Sequence, residues 1–146
     1  MLHALQFMAT LFAALFAGAA LYINLVEHPA RLGLETSIAA RQWAPSYKRA
    51  TWMQAPLALL SFFAGVAAWL MGGGIAWLVA AALIGAVVPF TFIAIMPTNH
   101  KLLVPGRDLS SPETRALLEN WGKLHAVRTG LSLLATVLCL WLLCGA

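Results

Sequence analysis

Charge is what this sequence has least of. Nine basic and five acidic side chains serve 146 residues, 10% of the chain, whereas 62% is hydrophobic. A water-soluble domain carries about a quarter charged residues. So sparse a set cannot clothe a water-facing surface, which excludes an ordinary soluble domain and directs the apolar surplus toward lipid. Cysteine is also scarce. Cys139 and Cys144 stand five residues apart in the last apolar segment, about 140° apart on a helix, which excludes a disulfide between them or a thiolate metal site. No HxxxH, HxxE or ExxH pair occurs on any one segment, and there is no internal repeat or low-complexity linker. The net charge of +4 comes without a basic stripe or interleaved aromatics, so nucleic acid is excluded as a partner.

What is present is apolar length. Four segments, at about 5–26, 50–71, 75–96 and 123–143, each reach the roughly 20 residues that cross a bilayer. The apolar run of the first continues past Ala17-Gly18-Ala19 to Leu25 with no preceding Lys or Arg, so it is expected to be a retained span rather than a cleaved signal. Gly72-Gly73-Gly74 makes a tight turn between the second and third. Pro29 and Pro97 are expected to end the first and third helices, and Pro89 to kink the third. Ser111-Pro112 reads as an N-cap followed by proline at the first helical position, opening a short amphipathic helix over about 112–121 that either ends there or runs directly into the fourth segment. The expectation is an all-α, integral membrane, antiparallel four-helix bundle forming one domain over residues 1–146.

The charges are not spread evenly. All nine Lys and Arg residues, and all five acids, fall in or beside the connections after the first and third segments. The positive-inside rule puts that end in the cytoplasm and both termini on the opposite side. A bacterial inner (plasma) membrane suits this pattern, the lipid bilayer being the chief partner.

Polar side chains near the charged end are the candidates for function, because such groups are costly inside a membrane. The first segment offers Asn24, Glu27 and His28; the second Tyr47, Thr51 and Gln54; the third Thr91, Asn99 and His100; the fourth Trp121, His125 and Arg128. In an antiparallel bundle these sets lie at similar depth and converge on one pocket suited to proton transfer, anion stabilisation or metal binding. Glu27, His28, His100 and His125 are the candidate metal ligands, for iron or copper, and a cofactor-free site is the alternative. Plainer roles compete: Arg128 and Lys123 can snorkel to lipid phosphates, and Glu27 can simply neutralise Arg128 or another cation.

The stretch Val88-Pro89-Phe90-Thr91…Ile95-Met96-Pro97-Thr98-Asn99, followed by Trp121-Gly122-Lys123-Leu124-His125-Ala126-Val127-Arg128, resembles the anthrone-oxygenase-like family of small four-helix membrane proteins. The resemblance extends to Pro29 and the Trp43…Tyr47 segment. It implies a membrane oxidoreductase, oxygenase-like, that oxidises a lipophilic anthrone- or quinone-like aromatic with molecular oxygen. Asn99, Trp121, His125 and Arg128 match the family pattern. In that chemistry His125 would be the general base, with Arg128 and Asn99 as oxyanion donors. Trp121 and the Phe90/Phe92 region would stack on the rings, and Tyr47, Gln54 and Asn24 would complete the substrate site. Two other classes stay open: a non-catalytic subunit that binds a hydrophobic ligand, metal or partner, and a transporter, which four helices could form only as a homo-oligomer.

Overall fold

The computed structural model describes residues 1–145, and among them every regular element is helical. Four helices are long and apolar enough to cross a membrane: α1 Leu2–Leu32, α2 Thr36–Gly73, α3 Ile75–Leu102 and α4 Pro112–Cys144. Each packs on two neighbours, α1 against α2 and α4, and α3 against α2 and α4. Large side chains such as Phe63, Ile93, Leu134 and Trp141 point outward, where only lipid can accept them. Cys139 is buried, Cys144 is exposed, and both are free thiols.

Two helices begin earlier than hydropathy predicts. The 38 residues of α2 start at Thr36 rather than near 50. At 1.5 Å per residue α2 is about 57 Å long, well beyond a hydrocarbon core of about 30 Å. Its first turns are polar, yet Ala39, Ala40 and Trp43 are buried and Tyr47 half-buried along one face, and a helix needs only one such face to pack. Likewise α4 starts at Pro112 and runs without interruption through the segment expected from 123. Ser111 caps it, its Oγ accepting from the Thr114 N–H at 3.1 Å.

Pro29 and Pro97 do not end their helices. Each lies just after a widened π-helical turn, Ile23–Glu27 in α1 and Thr91–Ile95 in α3. A proline ring removes an N–H donor and collides with the carbonyl four residues back. Widening the preceding turn relieves both problems and changes the angle at which later side chains leave the helix. At the opposite end of the molecule Gly72 (φ 89°) and Gly74 (φ 91°) take the left-handed backbone that turns α2 directly into α3.

Packing differs along the bundle axis. Near the glycine turn the core is Ala9, Ala68, Ala80 and Cys139 around Trp77. There Gly65 lies so close to α3 that an added Cβ would come within 3.0 Å of the Ala81 Cβ. Small residues let membrane helices approach. At the charged end the core is built instead from Trp43, Trp121, Ile95, Leu102 and Leu118. Polar side chains are interleaved with these bulkier groups.

Candidate functional site

The site starts with a close crossing of α1 and α4. Gly122 has no side chain to keep the helices apart; a Cβ there would fall 2.6 Å from His28 Cδ2. At this crossing Asn24, in the widened turn of α1, donates from Nδ2 to the Gly122 carbonyl at 3.0 Å. That bond fixes the amide orientation and turns Oδ1 toward α4, where it accepts from the Thr129 hydroxyl and pairs with His125 Nδ1 at 2.8 Å. An amide oxygen can only accept, so Nδ1 carries the imidazole proton and Nε2 is the basic nitrogen. His125 is 1% exposed, and Trp121 stacks on its ring at 4.9 Å between centroids.

Trp121 anchors an aromatic wall. Trp43 meets it edge-on at 6.0 Å, Tyr47 stacks on Trp43 at 5.0 Å with planes 6° apart, and His28 packs against Trp121 at 5.0 Å. Arg128, one turn after His125, donates to Gln54 Oε1 at 3.0 Å and lies over the Phe16 ring at 5.3 Å. Among the described residues no carboxylate pairs with it. Its Nε, Gln54 Nε2, Trp43 Nε1 and Trp121 Nε1 are buried donors without partners. Such groups are rare in folded proteins and mark sites that a ligand or water completes.

Two cavities meet at Arg128. The inner one, about 10 Å3, is bordered by His125, Arg128, Gln54, Tyr47, Trp121, Arg31 and Ser46, and is the size of about one water molecule. The outer one, about 200 Å3, lies between α2 and α3 and is lined mainly by apolar groups, Phe16, Ala55, Ala58, Val87, Val88, Phe92 and Met96. Tyr47, Thr51 and Arg128 border both. Beside them a second polar cluster ties α1 to α2. Arg31 is bonded to Glu27, Gln42, Ser46 and His28 Nδ1, and His28 Nε2 donates to the Leu118 carbonyl at 2.9 Å.

Of the residues expected at the pocket, Tyr47, Gln54, Trp121, His125 and Arg128 border the inner cavity, and Asn24 holds His125 from behind. Asn99 and Phe90 border neither cavity. Asn99 Nδ2 contacts Met96 Sδ at 3.7 Å, and Phe90 packs on the Trp43–Trp121 core. Residues two apart on a helix point about 200° apart, so it is Phe92 that reaches the outer cavity.

The candidate metal ligands are kept apart. Both nitrogens of His28 are engaged, Glu27 is held by Arg31 and Ser46, and His100 is exposed beyond the site. Among the described residues no three His, Cys, Asp or Glu side chains are grouped to hold an ion. Glu27 neutralises Arg31, not Arg128.

Sequence reasoning missed Thr129, Phe16, Arg31, Ser46 and Gly122. Thr129 was within reach, since it follows His125 by four residues on the same face. Arg31 registered only as a topological charge, and nothing local marks Ser46 as facing a cavity.

A family model described as anthrone oxygenase matches residues 43–138, a range that holds every bordering residue of the inner cavity except Ile23 and Arg31. A relative, the anthrone oxygenase tpcL of Aspergillus fumigatus, is 36% identical over 70 residues, 46% of this chain and 44% of that protein. The chain thus matches less than half of that relative's length. No solved structure matches it. With more than half of its residues inside the family match, the chain belongs to the anthrone oxygenase family.

Proposed function

We propose that this chain is a membrane-embedded oxidoreductase that oxidises a flat, lipophilic, anthrone- or quinone-like aromatic with molecular oxygen. One observation carries the reading: an apolar cavity between α2 and α3 adjoins a small polar cavity, and the buried cation Arg128 borders both. Its volume, about 200 Å3, lies below the range of about 300–1,000 Å3 typical of drug-sized ligands, which favours a compact flat molecule. Such a substrate partitions into the bilayer and reaches the site sideways, as does oxygen, which is also more soluble in lipid than in water. The bundle would sit in a plasma membrane with its charged end in the cytoplasm, following the positive-inside pattern.

The chemistry needs a base, an oxyanion site and exclusion of water. His125 borders only the water-sized inner cavity, so its Nε2 takes a proton from the ring methylene through a water held there, a role the Asn24 contact prepares by keeping the proton on Nδ1. The resulting anion carries its charge on the ring oxygen, where Arg128, which borders both cavities and is held by Gln54, can stabilise it. The electron-rich anion then reduces oxygen. The methylene carbon becomes a carbonyl, one oxygen atom enters the product, and the other leaves as water with the two methylene hydrogens. The substrate supplies every electron, so the balance requires no external reductant.

The test is oxygen consumption with an anthrone by detergent-purified protein, alongside metal analysis and an absorption spectrum. His125→Ala should lower kcat by about 100-fold or more, the usual scale of general base catalysis, without altering the folded state. Full activity in that variant would remove His125 from the mechanism. An absence of oxygen uptake by the parent protein would reject the reading.

A further inference from the structure

The oxidation scheme leaves one buried cluster unused. Glu27 and Arg31 pair on α1, and Ser46 of α2 donates its hydroxyl to Glu27 Oε1 while accepting from Arg31 at 3.1 Å. Arg31 is 2% exposed, whereas Glu27 keeps 24% of its side chain open. Glu27 borders an open groove of about 510 Å3 between α1 and α2. Ser46 borders that groove and also the inner cavity that holds His125. A pair that served only to fasten two helices would need no hydroxyl reaching both spaces.

His125 has few ways to pass on a proton. Its Nδ1 faces the Asn24 carbonyl oxygen, which has no proton to exchange, and Trp121 covers one face of the ring. The inner cavity is the side from which Nε2 communicates with other groups. It is the size of about one water, with Ser46 on its wall.

We propose that Ser46 and Glu27 form a proton relay between His125 and the groove separating α1 from α2, a step that rests on the oxidation reading above. The proton moves from His125 Nε2 to a water in the inner cavity. The water passes a proton to Ser46 Oγ as Ser46 passes its own to Glu27 Oε1. Only N–H and O–H bonds form and break, and no electrons are transferred. Run in reverse, the same path returns a proton to the oxygen atom that leaves as water. The charged and titratable groups around Glu27 are Arg31, His28 and Tyr22 on its own helix and Arg49 of α2, Tyr22 and Arg49 bordering the same groove. Arg115 of α4 binds the Leu32 and Leu34 carbonyls just beyond.

Ser46→Ala is the informative variant, because it cuts the path and leaves the Glu27–Arg31 pair intact. Anthrone-dependent oxygen uptake is measured in detergent for the parent chain, Ser46→Ala, Ser46→Thr and Glu27→Gln, with folding followed by circular dichroism. The relay predicts about a tenfold or greater fall in kcat for Ser46→Ala at unchanged KM. It also predicts a larger solvent deuterium isotope effect, recovery in Ser46→Thr, and rescue of Glu27→Gln by imidazole in a concentration-dependent manner. Parental kcat and isotope effect in folded Ser46→Ala would overturn the relay and leave the oxidation reading standing. Equal losses in Ser46→Ala and Ser46→Thr with no imidazole rescue would overturn it in favour of packing alone. No turnover by the parent chain would overturn both.

Discussion

A buried guanidinium without a carboxylate is an expensive arrangement. The Arg128 side chain is half-buried overall and its guanidinium Nε fully buried, in an apolar stretch of α4 with Gln54 and the Phe16 ring as its neighbours. Taking such a charge out of water costs several kcal/mol, and a hydrogen bond to a neutral amide together with a cation–π contact offsets only part of it. Replacing it by an apolar side chain of similar length should therefore stabilise the fold. Arg128→Met is expected to raise the unfolding temperature in detergent while abolishing anthrone-dependent oxygen uptake. A lower melting temperature would instead make Arg128 a structural residue. Gly122 makes the opposite case, since its role is steric. Gly122→Ala forces His28 away from α4 and strains the Asn24 contact beside it. A loss of about 1–3 kcal/mol by overpacking is expected, read as a lower melting temperature with reduced turnover.

At the scale of elements, the two proline-linked wide turns decide where side chains aim. In α1 the turn Ile23–Glu27 contains both Asn24, which orients His125, and Glu27, which meets Ser46. Pro29→Ala removes the steric reason for that turn. The helix can then tighten and rotate these two side chains relative to α4 and α2. Helical circular dichroism should stay as it is while kcat falls about tenfold or more, because small misplacements near the chemistry are costly. Unchanged kinetics would mean that packing alone maintains the turn. The hydropathy of the chain made the four spans and the glycine hairpin plain. It hid the polar start of α2, because a sliding average registers Arg41, Gln42, Lys48 and Arg49 as loop and is blind to the buried face of Ala39, Ala40 and Trp43 between them, whereas Ser111-Pro112 marked the start of α4.

For the whole molecule, the arrangement is polarised along its axis. Small residues around Trp77 form the core near the glycine turn, and Trp43 and Trp121 with larger aliphatic groups form it at the charged end. The exposed residues Thr51 and Ala55 of α2 and Phe92 of α3 border the outer cavity. Ala55 is exposed on its border, so Ala55→Trp should raise KM several-fold for a bulky anthrone with little effect on kcat. A KM that does not respond would place substrate access elsewhere. The orientation can be read separately. In a cysteine-free background, Gly106→Cys in the connection before α4 should react with an impermeant thiol reagent only when the cytoplasmic side is exposed. Labelling of intact cells would reverse the topology.

Composition and apolar run length by themselves determined that this chain belongs in a membrane, that it crosses four times, and that its charges gather at one end. These are sums over neighbouring residues, and they survive any detail of packing. The polar residues Tyr47, Gln54, Trp121, His125 and Arg128 were also legible as one constellation, since antiparallel spans bring equal depths together. Only the tertiary structure decided which of them share a cavity. It set Asn99 and Phe90 aside, brought in Thr129, Phe16, Arg31 and Ser46, and kept Glu27, His28, His100 and His125 from converging. The physical reason is phase. A side chain's direction advances about 100° with every residue, and each wide turn adds a local offset. Facing therefore depends on contacts such as the Asn24–Gly122 bond, made between residues 98 positions apart, that no local pattern contains.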